Sequence, residues 1–332
     1  MHVMALSSKT KGQLIMLLGV VAVTPDSLCI RFLESIGASN WCILFWTQAC
    51  LGMMLGSIAV TRSGGFQPVW ASTKPVCTLL PVALVVQGIV YAGFLISLFY
   101  TSAANTLLFI SMNPVWAAVF GFFVLGERVP CRTLLALVMS IASMLIIFLP
   151  VILGGGHTEN TEHTRHEMVL GNLMALLTGV SLAASITIVR YAGKTAPEGN
   201  MIVVPALGVV LPLLLCIIAD VHGILPTAVE PLWQFWCVVV LDAACKTSLF
   251  LALSIAPALI SGPETGLIIL LEVILGPLWV GLAYKSIPSM WTFIGGGILV
   301  CGLALHELLA FKAPDGDKGT GHEDSGQLEN QA

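Results

Sequence analysis

Four ionisable side chains sit in sequence that is otherwise almost wholly apolar: Asp26 directly after Pro25, Asp242 and Lys246 four residues apart, and Glu272 within GLIILLEVILGPLWVGL. A charge at the centre of a bilayer costs on the order of 2.5–3.5 kcal/mol even on lenient insertion scales, so such groups face a bundle interior or a water-filled cavity. Glu272 is the clearest case, because its neighbours offer no other polar face; it is read as a substrate-site or proton-carrying group in preference to a mere helix fastener. Asp242 and Lys246 have the i, i+4 spacing that lets them neutralise each other on one helical face, unless a charged substrate group displaces one partner. Pro25 frees a backbone carbonyl, which places Asp26 among the candidates for lining a path. Glu264, two turns before Glu272 and next to Pro263, is read as a helix cap, a gate or a ligand. The amides Gln87, Asn105 and Asn113 complete the candidate substrate and proton pathway.

Enzyme signatures fail on inspection. His306-Glu307-Leu308-Leu309-Ala310 begins like the zinc-protease helix but has Ala310 where the second histidine belongs, and Gly193-Lys194-Thr195 has Ile188 where a phosphate-binding loop needs its first glycine. No nucleophile, base and oxyanion set can be assembled, so catalysis is not expected. The nine cysteines stand singly in or beside apolar stretches and read as small core hydrophobes. His157, His163 and His166 share a polar loop with Glu159, Glu162 and Glu167, but without a firm ligand spacing. No metal and no cofactor is assigned.

These groups need elements that hold them at depth, and the composition says which. Of 332 residues 57% are hydrophobic and 10% charged, with mean hydropathy +0.95; a soluble domain is roughly 45–50% apolar and about 25% charged. The expectation is an all-α integral membrane protein. Apolar runs near 12–33, 40–60, 76–99, 103–125, 131–150, 169–190, 200–219, 232–255, 263–283 and 289–310 predict ten transmembrane helices, since the runs are about twice as long as a barrel strand requires. The first run is longer than a signal-peptide core and lacks a clear cleavage site, so it is read as a retained span. The 14 Lys and Arg residues form no basic tract with interleaved aromatics, and nucleic acid is not expected as a partner.

Threading the ten spans from an inside N-terminus puts Lys9, Lys11, Arg62, Lys74, Arg128, Arg132, Arg190, Lys194, Lys312 and Lys318 on one side, against Arg31, Arg165 and Lys285 on the other. That bias predicts both termini in the cytoplasm, and does not choose between the plasma membrane and an endomembrane. Trp41, Trp70, Trp233 and Trp291 fall near span ends as interfacial anchors, and Trp46, Trp116, Trp236 and Trp279 lie deeper, in core packing or a cavity wall. Gly52 and Gly56 have the G-x-x-x-G spacing of closely packed helices.

The polar loop divides the spans five and five, and an offset of 159 superimposes the halves: Gly12, Leu14, Leu17, Leu18 and Arg31 fall on Gly171, Leu173, Leu176, Leu177 and Arg190. The same shift brings Gln87 onto Lys246, Asn105 onto Glu264 and Asn113 onto Glu272. Rare intramembrane polar positions coinciding at one shift carry more weight than leucines. Five is odd, so the second repeat enters the bilayer from the opposite side. The predicted organisation is a cytoplasmic segment 1–11, a repeat 12–150, a non-cytoplasmic loop 151–168, an inverted repeat 169–311 and a disordered cytoplasmic tail 312–332. Inverted repeats with polar groups near the midplane are the architecture of many secondary transporters.

The run TSAANTLLFISMNPVWAAVFGFFVLGERVP at 101–130, with Asn-Pro near mid-helix and Gly-Glu at its exit, resembles the fourth-helix signature of the EamA-type drug/metabolite transporter superfamily. GPETGLIILLEVILGPLWVGL at 262–282 resembles the matching helix of a second EamA repeat, and TPDSLCIRF at 24–32 is similar to the first-helix pattern of one branch. The second repeat departs from the family with Tyr284, Lys285 and Ser286 where Gly-Glu is usual, and with Val273 where Pro is usual. The resemblance makes Glu127 a structural hallmark. It implies a secondary transporter of a small polar or amphipathic metabolite, of amino-acid, drug-like or nucleotide-sugar class, working by alternating access with proton coupling or exchange. A passive channel or facilitator and a non-transporting scaffold or receptor are the alternatives. Expected partners are the small-molecule substrate, the lipid bilayer and a coupling proton, with a homodimer left open.

Overall fold

The computed structural model describes residues 7–100, 103–127, 129–147, 149, 165–219, 222–226, 229–284 and 290–312. Among them the chain is all-helical, without a strand. The helices are α1 (Ser8–Val23), α2 (Asp26–Ser35), α3 (Asn40–Ser63), α4 (Phe66–Thr73), α5 (Leu80–Tyr100), α6 (Ala103–Ile110), α7 (Asn113–Leu125) and α8 (Cys131–Ile147). They continue with α9 (Arg165–Thr195), α10 (Val203–Gly208), α11 (Val210–Ala219), α12 (Leu232–Ile255), α13 (Gly262–Ile269), α14 (Leu271–Tyr284) and α15 (Met290–Lys312). Six segments are long and apolar enough to cross a membrane, namely Ser8–Ser35, Asn40–Ser63, Leu80–Ser97, Thr106–Leu125, Val169–Thr195 and Leu232–Ala258. Cys131–Ile147, Val203–Ala219 and Phe293–His306 are shorter apolar helices. Large side chains such as Phe123 (77% exposed) and Ile218 (80%) cover the outside, as lipid contact requires.

Local chemistry sets the ends. Ser7 and Ser39 accept the amides of Thr10 and Cys42 and cap α1 and α3. Gly64 (φ 79°) and Gly126 (φ 65°) close α3 and α7 in the left-handed conformation that side chains disfavour. At α13, Ser261 and Glu264 form a reciprocal capping box with Pro263 in the first turn.

Several spans read as continuous in sequence are broken in space. The first splits at Thr24–Pro25 into α1 and α2, the fourth at Ser111–Met112, the seventh at Val209 and the ninth at Leu270. Proline explains the first two directly, since Pro25 and Pro114 cannot donate to the turn before them. The helix α9 begins at Arg165, so the last four residues of the stretch expected to be loop, 165–168, are helical. Residues 150–164, which hold His157 and His163, lie outside the described residues, as do the side chain of His166, Arg128 and the tail from 313.

The helices pair in a definite pattern: α1 with α12, α5 with α9, α3 with α12, α5 with α10 and α11, α7 with α9 and α13, α2 with α14, and α8 with α15. Small residues permit the closest approaches. A Cβ on Gly19 would stand 2.5 Å from the Ala252 Cβ, and one on Gly93 would stand 2.5 Å from Thr178 Oγ1. Of the predicted G-x-x-x-G pair only Gly52 is a contact point, against Val209; Gly56 faces open space. Trp46 and Trp236 stack edge to face at 4.7 Å beside a buried core around Leu33, Phe235 and Val239.

Candidate functional site

The helix break at Pro25 makes Asp26 the first residue of α2, on the side of α2 packed against α12 and α14. From α12, Lys246 reaches both acidic partners: its Nζ lies 3.0 Å from Asp26 Oδ1 and 2.7 Å from Asp242 Oδ2. The i, i+4 pair expected on α12 is therefore present, and it is extended by a third charge from another helix. Asp242 is fully buried and its Oδ1 has no hydrogen-bond partner. Lys246 and Asp26 keep 14% and 15% of their side-chain surface, so the pair is accessible rather than sealed. Glu272 begins the first turn of α14 beyond the break at Leu270 and lies within electrostatic reach of Asp26 and Lys246. The cluster holds three carboxyl groups against one ammonium.

The other candidates fall into two further groups. Gln87 on α5 accepts a hydrogen bond from Ser185 Oγ of α9 at 2.9 Å, while its Nε2 is buried without a partner. Asn113 opens α7, is 1% exposed, and has no partner for either side-chain atom. The side chain of Asn105 lies outside the described residues. Glu264 belongs elsewhere. It caps α13, pairs with Lys9 at 2.9 Å, and has His306 Nε2 at 3.8 Å, at the end of the bundle where α1 begins.

That end carries a network the sequence reading only grazed. Arg190 Nε donates to both carboxylate oxygens of Glu127, at 2.7 and 3.0 Å, and its Nη1 donates to the carbonyls of Pro257 and Ile260. Lys194 adds a 2.6 Å contact to Glu127. These bonds tie the ends of α7 and α9 to the turn before α13, so Glu127 does the structural work its position implied. In sequence Arg190 stands out as a cation of the positive side and as the repeat of Arg31; its role needs the knowledge that α7 and α9 end together. Among the described residues no group of acidic, histidine or cysteine side chains could hold a metal ion.

The arrangement can bind a charged solute, exchange protons at a carboxyl, and change partners around Lys246. A charge cluster inside an apolar, lipid-embedded bundle marks a candidate site for solute or ions.

Residues 10–149 match the EamA-like transporter family. A crystal structure recorded simply as that of a protein superposes with a TM-score of 0.68 at 19% identity, covering 91% of this chain and 98% of its own, which shows a shared fold through both halves. No curated protein matches the sequence. Residues 10–149 of the chain are thus similar to the EamA-like transporter family, and its several long apolar helices mark an integral multi-pass membrane protein.

Proposed function

We propose that this is a ten-helix secondary transporter of two inverted five-helix repeats, 12–150 and 169–311, that moves a small polar or amphipathic metabolite by alternating access. The observation that carries the reading is the ion pair between Asp26, which opens a helix at a break in its span, and Lys246 of α12 at 3.0 Å. Broken helices presenting charge at mid-span are how many secondary transporters build a central site.

The repeat is supported by packing as well as by sequence. Exchanging residue numbers by 159 turns the α1–α12 pairing into α9–α5, and the Gly19–Ala252 contact into Thr178–Gly93. The break at Ser111 maps onto the break at Leu270. With both termini cytoplasmic, as the distribution of Lys and Arg favours, the Glu127 and Glu264 networks close the cytoplasmic end, and the partly accessible Lys246–Asp26 pair belongs to a site open toward the other side. Glu272 is the proton carrier in this scheme. Its neighbours Asp26 and Lys246 can rearrange between the two states, so the environment of its carboxyl changes with access.

The test is purified protein in liposomes, challenged with a pooled metabolite extract and read by mass spectrometry. The reading expects saturable uptake of a small set of solutes, accelerated by the same solute on the far side. Non-saturating flux without counterflow would make the protein a channel, and no flux of any solute would make it a scaffold or receptor.

A further inference from the structure

We infer that the short helix α4 seats the headgroup of an anionic phospholipid, held by Arg62 and Lys74 beside the exposed rings of Phe66 and Trp70. The inference concerns an outer surface of the bundle and stands apart from the transport reading above. α3 ends at Ser63 and α4 opens at Phe66, so α4 lies at the level of a span's end. Its two faces differ. Val69 packs on the core around Leu51, Leu55 and Ile202, and Thr73 is buried with its hydroxyl donating to the Val69 carbonyl at 2.7 Å. Phe66 and Trp70, four residues apart on the other face, keep 82% and 66% of their surface. Lys74 closes α4 with helical backbone angles and is exposed, so it continues the same stripe one turn on. Arg62, in the last turn of α3 and four residues before Phe66, is exposed as well.

Charge selects the ligand. No Asp or Glu occurs between Glu34 and Glu127, so α3, α4 and α5 carry no acidic side chain. At this end of the bundle Lys9 is taken by Glu264, and Arg190 and Lys194 are taken by Glu127. Arg62 and Lys74 have no carboxylate partner among the described residues; Glu198, on the connector between α9 and α10, is exposed and pairs with neither. An anionic headgroup complements two such cations, and the rings say that it belongs to a lipid. Trp70 has an amphipathic ring of the kind that settles at headgroup level, and a lysine stem lies along apolar surface while its ammonium reaches the phosphates. A soluble anion would use the cations and leave both rings in water. The seat is also braced from behind. Asn200 donates from its backbone N–H to the Ser72 carbonyl at 3.0 Å and from Nδ2 to Ser63 Oγ at 3.2 Å, and Gly199 leaves no room for a side chain against Val76. The orientation proposed above turns this end toward the cytoplasmic leaflet, which carries the anionic lipid of a cell membrane.

The test titrates the full-length protein in detergent micelles with dioleoylphosphatidylglycerol or dioleoylphosphatidylcholine, which share their acyl chains and differ in headgroup charge, and reads the affinity of the first bound lipid by native mass spectrometry. Phosphatidylglycerol should bind roughly tenfold or more tightly than phosphatidylcholine, since each cation near an anionic surface is worth about fivefold. Arg62→Gln with Lys74→Gln should bring the two lipids within about twofold of each other. Phe66→Ser with Trp70→Ser should instead weaken both lipids by a similar factor, because the rings do not sense the headgroup charge. Lys11→Gln removes an exposed cation at the same end, on α1, and should leave the preference unchanged. Every substituted position is exposed, and melting temperature reports folding; if a double variant fails to fold, its single variants each give about half of the effect on a logarithmic scale. Equal binding of the two lipids to the parent protein overturns the inference and leaves the exposed rings to a protein partner. A preference that survives the loss of Arg62 and Lys74, or that Lys11→Gln lowers as much per charge, overturns it in favour of diffuse attraction. Displacement of phosphatidylglycerol by inorganic phosphate alone would overturn the lipid seat in favour of a soluble-anion site.

Discussion

One ammonium shared by two carboxylates makes Lys246 the residue on which the local electrostatics turn. Removing it leaves Asp26 and Asp242 facing each other in a poorly screened interior, and breaking a buried ion pair from one side typically costs about 3–5 kcal/mol. Lys246→Met should therefore lower thermal stability in detergent clearly, and Asp242→Asn in the same chain should restore part of the loss. A single variant as stable as the wild type would mean the three groups are not ionised together. Glu272→Gln belongs to the same scale and asks a different question. Glutamine keeps the size and some hydrogen bonding but cannot carry a proton, so net transport should lose its pH dependence while exchange of solute for solute survives. A variant with the wild-type rate and pH profile would reduce Glu272 to a helix fastener. Sequence alone exposed these residues, because a charge in an apolar run is conspicuous. It did not expose that Asp26 completes the Lys246 pair, since that contact depends on the turn of chain at Pro25.

At the scale of helices, fit is set by where two backbones come close. A Cβ at Gly19 or Gly93 would overlap its neighbour at 2.5 Å, whereas one at Gly56 would meet nothing within 4 Å. Gly19→Val and Gly93→Val should each cut the yield of folded protein and lower its melting temperature, while Gly56→Ala should be neutral within about 0.5 kcal/mol. The strap from Glu127 to Arg190 makes a second prediction at this scale. Glu127→Gln removes a bidentate charge-assisted contact and the Lys194 partner together, so a cysteine reagent applied from that end should reach Ser261→Cys faster than in the parent. Unchanged labelling would show that the strap does not hold this end shut. The all-helical, membrane-crossing character was legible from hydropathy, which predicted ten spans where six segments are long and apolar enough to cross, and the breaks were only partly so. Pro25 and Pro114 announce two of them. The break at Leu270 has no proline or glycine beside it, and it becomes readable only as the repeat of the break at Ser111.

For the whole molecule, the charge that sits on one side of the pseudo-symmetry relation bears on how the halves move. The end of the bundle where α1 begins is tied by Glu127 with Arg190 and Lys194 and by Glu264 with Lys9, yet the offset places Ser286 where a second Glu127 would stand. Arg31, the counterpart of Arg190, thus has no carboxylate at the matching position. Closure at the far end has to rest on other contacts, which makes an ion-pair strap at one end a source of bias between the two access states. All of this presumes that the halves are inverted, and inversion fixes where the loop between them must be. On a background with the native cysteines replaced, a single cysteine at His163 should react with an impermeant maleimide added from the side opposite the cytoplasm, and one at Gln327 only after permeabilisation. In the proposed ten-span arrangement five spans lie between the N-terminal segment and the loop, and five more between the loop and the tail, so an odd number separates His163 from either terminus. Labelling of both positions from the same side would make the span count in one half even, and the relation by 159 would then link segments that run parallel rather than inverted. The pairing of α1 with α12 and α9 with α5 would lose its two-fold explanation, and the proposal of a site alternately reached from either side would fail with it.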